Sequence, residues 1–131
     1  MPIVGQLTAL IPGGVLSISD SGFFYDDLVA GPHPLLEVGP AQIIIRVQNG
    51  AADGETTIRI ASTAIEDPVG PAIFDGTVRI ASGRLRVGDA VEGEELWVQV
   101  PNGELRVRLH VDDADPDSYP PERVDIVLPD L

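Results

Sequence analysis

The 131-residue sequence contains no cysteine and no lysine, and its only methionine is Met1. Without cysteine it has neither a disulfide framework nor thiolate metal sites, which fits a reducing compartment and a cytoplasmic protein. No apolar run approaches the ~18 residues of a membrane span. The fairly apolar start, Met1 to Leu16, has no basic leader region and is broken by Pro12-Gly13-Gly14. It reads as a first strand and not as a signal peptide. Long helices are excluded as well. Gly and Pro punctuate the chain so often that only residues 55–67 and 104–115 escape them for long, and both begin with the alternation of a strand.

Positive charge is scarce too. Eight Arg stand against 21 Asp and Glu, giving a formal charge of -13. Phosphate would be repelled by such a surface, so nucleic acid and anionic membrane are excluded as direct partners, whereas a basic protein is favoured. The eight Arg (46, 59, 79, 84, 86, 106, 108 and 123) all fall in or beside candidate strands, out of phase with the Ile, Val and Leu around them. That parity points them outward, where Glu55, Glu104 or Asp125 could pair with them across strands.

What the chain does contain is short alternating segments. Strands are expected at Ile3–Ile11, Val15–Ser19, Gln42–Gln48, Thr56–Ser62, Ala72–Ala81, Gly83–Val87, Leu96–Val100, Leu105–Val111 and Arg123–Leu128. Gln42–Gln48 is the most apolar of these and is expected to be central. Asp75-Gly76 makes Ala72–Ala81 either a bulged strand or a hairpin. Pro101-Asn102-Gly103 reads as a hairpin turn, and residues 26–41 as a surface loop. Phe23 to Ala30 is the only place for a short helix or turn. Strands at this spacing make an all-β, single antiparallel β-sandwich of about eight to ten strands, one domain over residues 1–131. The expected core is Ile43, Ile45, Val47, Ile58, Ile60, Val78, Ile80, Leu85, Val87, Leu96, Val98, Val100, Leu105, Val107, Leu109, Val124, Ile126 and Leu128.

Catalytic chemistry finds little footing. There is no G-x-S-x-G elbow, no Gly-rich loop opening a helix and no H-E-x-x-H spacing. His33 lies between two prolines, and His110 shares the parity of Arg106 and Arg108, which points it to solvent. The chain is therefore expected not to be an enzyme and to need no cofactor. The sharpest local feature is Asp112, Asp113, Asp115 and Asp117, whose hard oxygens suit calcium. The EF-hand pattern fails there, with Ser118 where Gly is needed and Val124 where the bidentate Glu belongs, so a solvated loop is the competing reading. Glu92, Glu94 and Glu95 form a second acidic stretch. Among the aromatics, Trp97 is out of phase with Leu96 and Val98, and Phe23-Phe24-Tyr25 cannot all face inward. Trp97 and Tyr25 are the candidate partner anchors, with Glu92, Glu94 and Glu95 as the steering acids.

The C-terminal half carries a resemblance. A strand at 96–100, Pro101-Asn102-Gly103, a second strand, an acidic loop and a last strand ending at Pro129 make a layout that resembles the competence protein J family of DNA-entry nuclease inhibitors. The matching part covers residues 73–129. The resemblance implies a cytoplasmic protein that inhibits or escorts a partner, and it carries no site motif that assigns inhibitory residues. The expected function is a non-catalytic acidic binding protein capping a basic partner such as a nuclease or toxin. The alternatives are a calcium- or ligand-binding module built on residues 112–117, or a structural subunit of a homo-oligomer.

Overall fold

The computed structural model describes residues 3–21, 27–62, 67–90, 93–115 and 117–131. Among these residues, eleven strands form two sheets packed face to face. The first sheet takes β1 (Ile3–Ala9), β6 (Thr56–Ala61), β11 (Arg123–Val127), β10 (Gly103–Val111) and β7 (Ala72–Ile80), in that spatial order. The second takes β3 (Val29–Ala30), β4 (Leu36–Val38), β5 (Gln42–Arg46), β2 (Val15–Asp20), β8 (Arg84–Asp89) and β9 (Glu95–Gln99). Pairing is antiparallel except between β6 and β11. Among the described residues, no helix is long and apolar enough to cross a membrane.

Alternation decides the faces, because successive side chains in a strand point to opposite sides of its sheet. Every expected core residue is buried between the sheets save Leu96, which is half-buried where β9 forms an edge. Ile58, Ile60, Val124 and Ile126 are fully buried from two adjacent strands. Each such side chain contributes about 1.5–3 kcal/mol relative to leaving it in water. On the other face of the same strands, Ala61 and Val127 form a small separate buried pair. β5 is interior to its sheet, as its apolar sequence predicts.

Three local expectations are corrected. Pro101-Asn102-Gly103 does not turn a hairpin: β9 pairs with β8 in one sheet, and β10 pairs with β7 and β11 in the other. The turn is an arch across the sandwich, and a strand pair on an arch buries the same alternate residues as a hairpin does. Ala72–Ile80 is one strand, and its bulge lies at Ile73 and not at Asp75-Gly76, since Leu109 faces Phe74 while the next residue, His110, faces Ala72. Ile73 and Phe74 are consequently both buried. Residues 26–41 are not all loop, because β3 and β4 close one side of the second sheet. The helix or turn expected at Phe23–Ala30 falls partly on residues 22–26, outside the described residues, and ends in β3.

The Arg side chains do form cross-strand pairs. On the outer face of the first sheet Arg79 meets Glu104 at 3.1 Å and Arg106 meets Asp75 at 3.1 Å. Arg59 meets Asp125 at 2.7 Å. Glu55, by contrast, makes none of these ion pairs. Arg86 departs from the outward expectation. It is 7% exposed, pairs with Glu95 and donates to the Asp89 carbonyl at 2.8 Å.

These contacts set an acid limit on stability. The hydrogen bond from Arg106 holds the Asp75 carboxyl below its ordinary value, and those from Arg79 and Thr77 do the same for Glu104. Ser118 and the Asp115 N–H lower Asp113 likewise. A carboxyl lowered by folding stabilises the fold above its unfolded-state value, and that contribution is lost as pH falls through the lowered value. The melting temperature should therefore be level near neutrality and decline once pH drops below about 4. A thermal melt unchanged down to about pH 2 would contradict this linkage.

Candidate functional site

Strand direction gathers the acids. β5, β8 and β10 run toward one end of the sandwich, and β6, β9 and β11 start from it. Residues 47–55, 112–115 and 117–122, with Ala90 and Glu94, therefore lie at the same end although they are distant in sequence. Hydrogen bonds fasten this end: Gln48 N–H to the Pro121 carbonyl at 2.9 Å, Thr57 N–H at the start of β6 to the Glu122 carbonyl at 2.9 Å, and Ala90 N–H to the carbonyl of Val15 at the start of β2 at 3.0 Å. Asp53, Glu55, Asp112, Asp113, Asp115, Asp117 and Glu122 all belong to this end.

The 112–122 loop is ordered by its own carboxylates. Asp112 Oδ1 accepts from the N–H groups of Glu122 and Arg123 at 3.2 and 3.3 Å. Asp113 Oδ1 accepts from Asp115 N–H at 3.0 Å, and Asp115 Oδ1 from Asp117 N–H at 2.9 Å. Such side-chain-to-backbone bonds are the means by which Asp stabilises turns. The four aspartates proposed as calcium ligands are not brought together: among the described residues no three His, Asp or Glu side chains are grouped as a metal site.

Beside this loop lies a concavity of about 370 Å³, lined by Gln48, Asp53, Asp112, Asp113, Tyr119, Pro120, Pro121 and Glu122. Gln48 is fastened from beneath by its amide, which donates to the Glu55 carbonyl. Tyr119 stands at the rim, 83% exposed. An acid-lined hollow with an exposed phenol ring suits a guanidinium or ammonium side chain, which gains charge pairing from the carboxylates and quadrupole attraction from the ring.

Both imidazoles act as ties between segments. The Leu35 N–H donates to His33 Nδ1 at 3.1 Å, so Nε2 carries the proton and donates to the Ala114 carbonyl at 2.8 Å. This fastens the β3–β4 connection to the acidic loop. His110 is half-buried and does not point freely to solvent. Its Nδ1 donates to the Gly70 carbonyl at 2.9 Å, and Nε2 accepts from Arg108 Nε at 3.2 Å.

The remaining candidates are divided. Glu94 shares the acidic end, and Glu95 and Trp97 lie on the outer side of β9. Trp97 is exposed, as a partner anchor requires, with Arg84 stacked 5.0 Å from its ring centre and its Nε1–H donating to Glu95 at 3.1 Å. Tyr25 and Glu92 lie outside the described residues. The residues missed by sequence reasoning are Tyr119, Asp53 and Glu122. One signal could have found Tyr119: it sits in a polar run just before Pro120-Pro121, with no alternating pattern to give it an inner face.

No family model and no curated protein sequence matches the chain. Among solved structures the chain is similar to the crystal structure of ComJ, inhibitor of the DNA degrading activity of NucA, from Bacillus subtilis. The TM-score is 0.65 over 97% of each chain, at 9% sequence identity. The resemblance noted for residues 73–129 thus extends, as a likeness of fold, over nearly the whole chain.

Proposed function

We propose that this chain is a non-catalytic, inhibitor-type protein that covers a basic protein partner of the nuclease kind with its acidic end. The observation that carries the reading is the whole-chain likeness of fold to a nuclease inhibitor. The acidic end supplies a physical mechanism. A nuclease must attract a polyanion, so its substrate-binding surface is basic. A rigid surface bearing Asp53, Asp113, Asp117 and Glu122 offers the same sign of charge and competes for that ground. Charge complementarity accelerates the encounter, while Tyr119 at the rim supplies contact area at low conformational cost.

The test is capture and assay. Immobilised chain, exposed to an extract of its own host, should retain a basic protein that degrades DNA, and the purified pair should degrade DNA more slowly than the nuclease alone. Added salt should slow their association. Recovery of acidic proteins only, or of a basic protein whose DNA degradation is untouched, would reject the reading.

A further inference from the structure

Among the described residues the sandwich presents four strand edges, and three are guarded. β3 has two residues, too few to template another strand. β1 carries an extra residue, Val4, between its pairings at Ile3 and Gly5. β7 is bulged at Ile73, and its Arg79 N–H is engaged by the Pro40 carbonyl at 2.8 Å. Short length, bulges and covered hydrogen-bonding groups are the devices by which proteins prevent edge pairing. β9 has none of them: its five residues pair with β8 in unbroken register.

The open edge can be read from the ladder. Val100 N–H donates to the Gly83 carbonyl at 3.0 Å, and Asp89 N–H to the Glu94 carbonyl at 3.2 Å. With the β8–β9 register, this turns the backbone groups of Leu96 and Val98 toward β8 and those of Glu95, Trp97 and Gln99 outward. Among the described residues, none pairs with these outward groups.

We propose that β9 pairs with β9 of a second copy of this chain, antiparallel about a two-fold axis at Trp97, joining the six-stranded sheets of two molecules. The register is self-complementary. Each outward-pointing residue meets another: Glu95 meets Gln99 of the second copy, and Trp97 meets Trp97. On the inner face Leu96 meets Val98, completing the cover of the core residue that β9 leaves half-exposed. No carboxylate is set opposite a carboxylate. The Trp97 ring is already held by Arg84 and Glu95, so little side-chain freedom is lost on pairing.

Charge placement favours this occupant despite the formal charge of -13. β9 starts at the acidic end and runs away from it, so antiparallel pairing sends the two acidic ends in opposite directions. Repulsion between them is then screened over more than a Debye length, and both acidic ends remain open to partners.

Sedimentation velocity of the full chain across the micromolar range tests this. A species of twice 13.9 kDa should grow with concentration. Trp97→Lys places two cations face to face at the axis, and Gln99→Pro deletes an outward N–H without touching the β8 ladder. Each should weaken self-association by about 100-fold or more, while Tyr119→Ala should leave it unchanged. Circular dichroism and melting temperature establish that the variants fold; if Gln99→Pro does not, Trp97→Lys decides alone. A chain that stays monomeric throughout, or a dimer indifferent to Trp97→Lys, overturns the proposal. So does a monomer whose β9 amides resist hydrogen exchange only when a partner protein is bound, an outcome that assigns the edge to a partner's strand.

Discussion

Replacing Asp125 by Ala should cost the fold about 3 kcal/mol or more, enough to threaten a domain whose total stability is of the order of 5–15 kcal/mol. Asp125 is fully buried in β11, between β6 and β10. It accepts from Arg59 Nε and Nη2 at 2.7 Å each, and from the Val69 N–H at 3.0 Å. Removing the carboxylate leaves a cavity in the sheet, takes the acceptor from the Val69 N–H and breaks both bonds to Arg59, whose guanidinium keeps only the Asp67 carbonyl and water. Asp125→Asn keeps the volume and one acceptor oxygen, so its loss should be smaller. Arg59→Ala leaves the buried carboxylate with Val69 alone and should be at least as damaging as Asp125→Ala. The double variant Arg59→Met, Asp125→Leu should recover part of the loss, because an apolar pair of similar size leaves no charge unpaired and only the Val69 N–H still lacks its acceptor. By contrast, Glu104→Ala breaks a solvent-exposed pair with Arg79, for which about 1 kcal/mol is an upper expectation. Chemical denaturation of the set measures these differences. A loss for Asp125→Ala no greater than that for Glu104→Ala would show that the buried contact carries no special weight.

The two layers and most of the core were legible in the sequence because alternation is a local property. Ile58 and Ile60, or Val124 and Ile126, announce a buried face without reference to any neighbour. What the pattern could not reveal is which strands lie side by side. Leu96–Val100 and Leu105–Val111 alternate identically whether Pro101-Asn102-Gly103 makes a hairpin or an arch, and only the pairing of β9 with β8 decides. Arg86 illustrates the same limit on one sheet face. Its parity matches that of the exposed Arg84, yet it is buried while Arg84 is not, because parity names a face and says nothing of what covers it. The acidic end follows from strand direction. Asp53, Asp112 and Glu122 are up to 69 positions apart in the numbering and become neighbours because β5 and β10 finish at the end from which β6 and β11 depart. Tyr119 gave no periodic signal, since it belongs to no strand.

Reversing charge at that end should produce the largest functional change. Asp53, Asp117 and Glu122 suit the experiment, because their carboxylates hold no hydrogen-bond partner among the described residues, whereas those of Asp112, Asp113 and Asp115 fasten the loop. Exchanging the three for Lys moves the charge of this surface from attraction to repulsion of a basic partner. Electrostatic steering changes association rates by about 10–10³-fold, so the triple variant should associate on the order of 100-fold more slowly at low ionic strength. Adding salt should narrow that gap, because screening removes the advantage of the native surface and the penalty of the variant together. The fold should survive, since no buried group is touched. Tyr119→Ala should act on the other rate: removing an exposed ring alters contact made after the encounter, so dissociation should quicken by about tenfold with association little changed. Arg79→Glu, on the outer face of the first sheet, should alter neither rate, being remote from the acidic end. Stopped-flow association against the captured nuclease separates these cases. A triple variant that associates as fast as the native chain, with the same salt dependence, would place the partner on another surface, and the outer face around Trp97 would then be the one to reverse next.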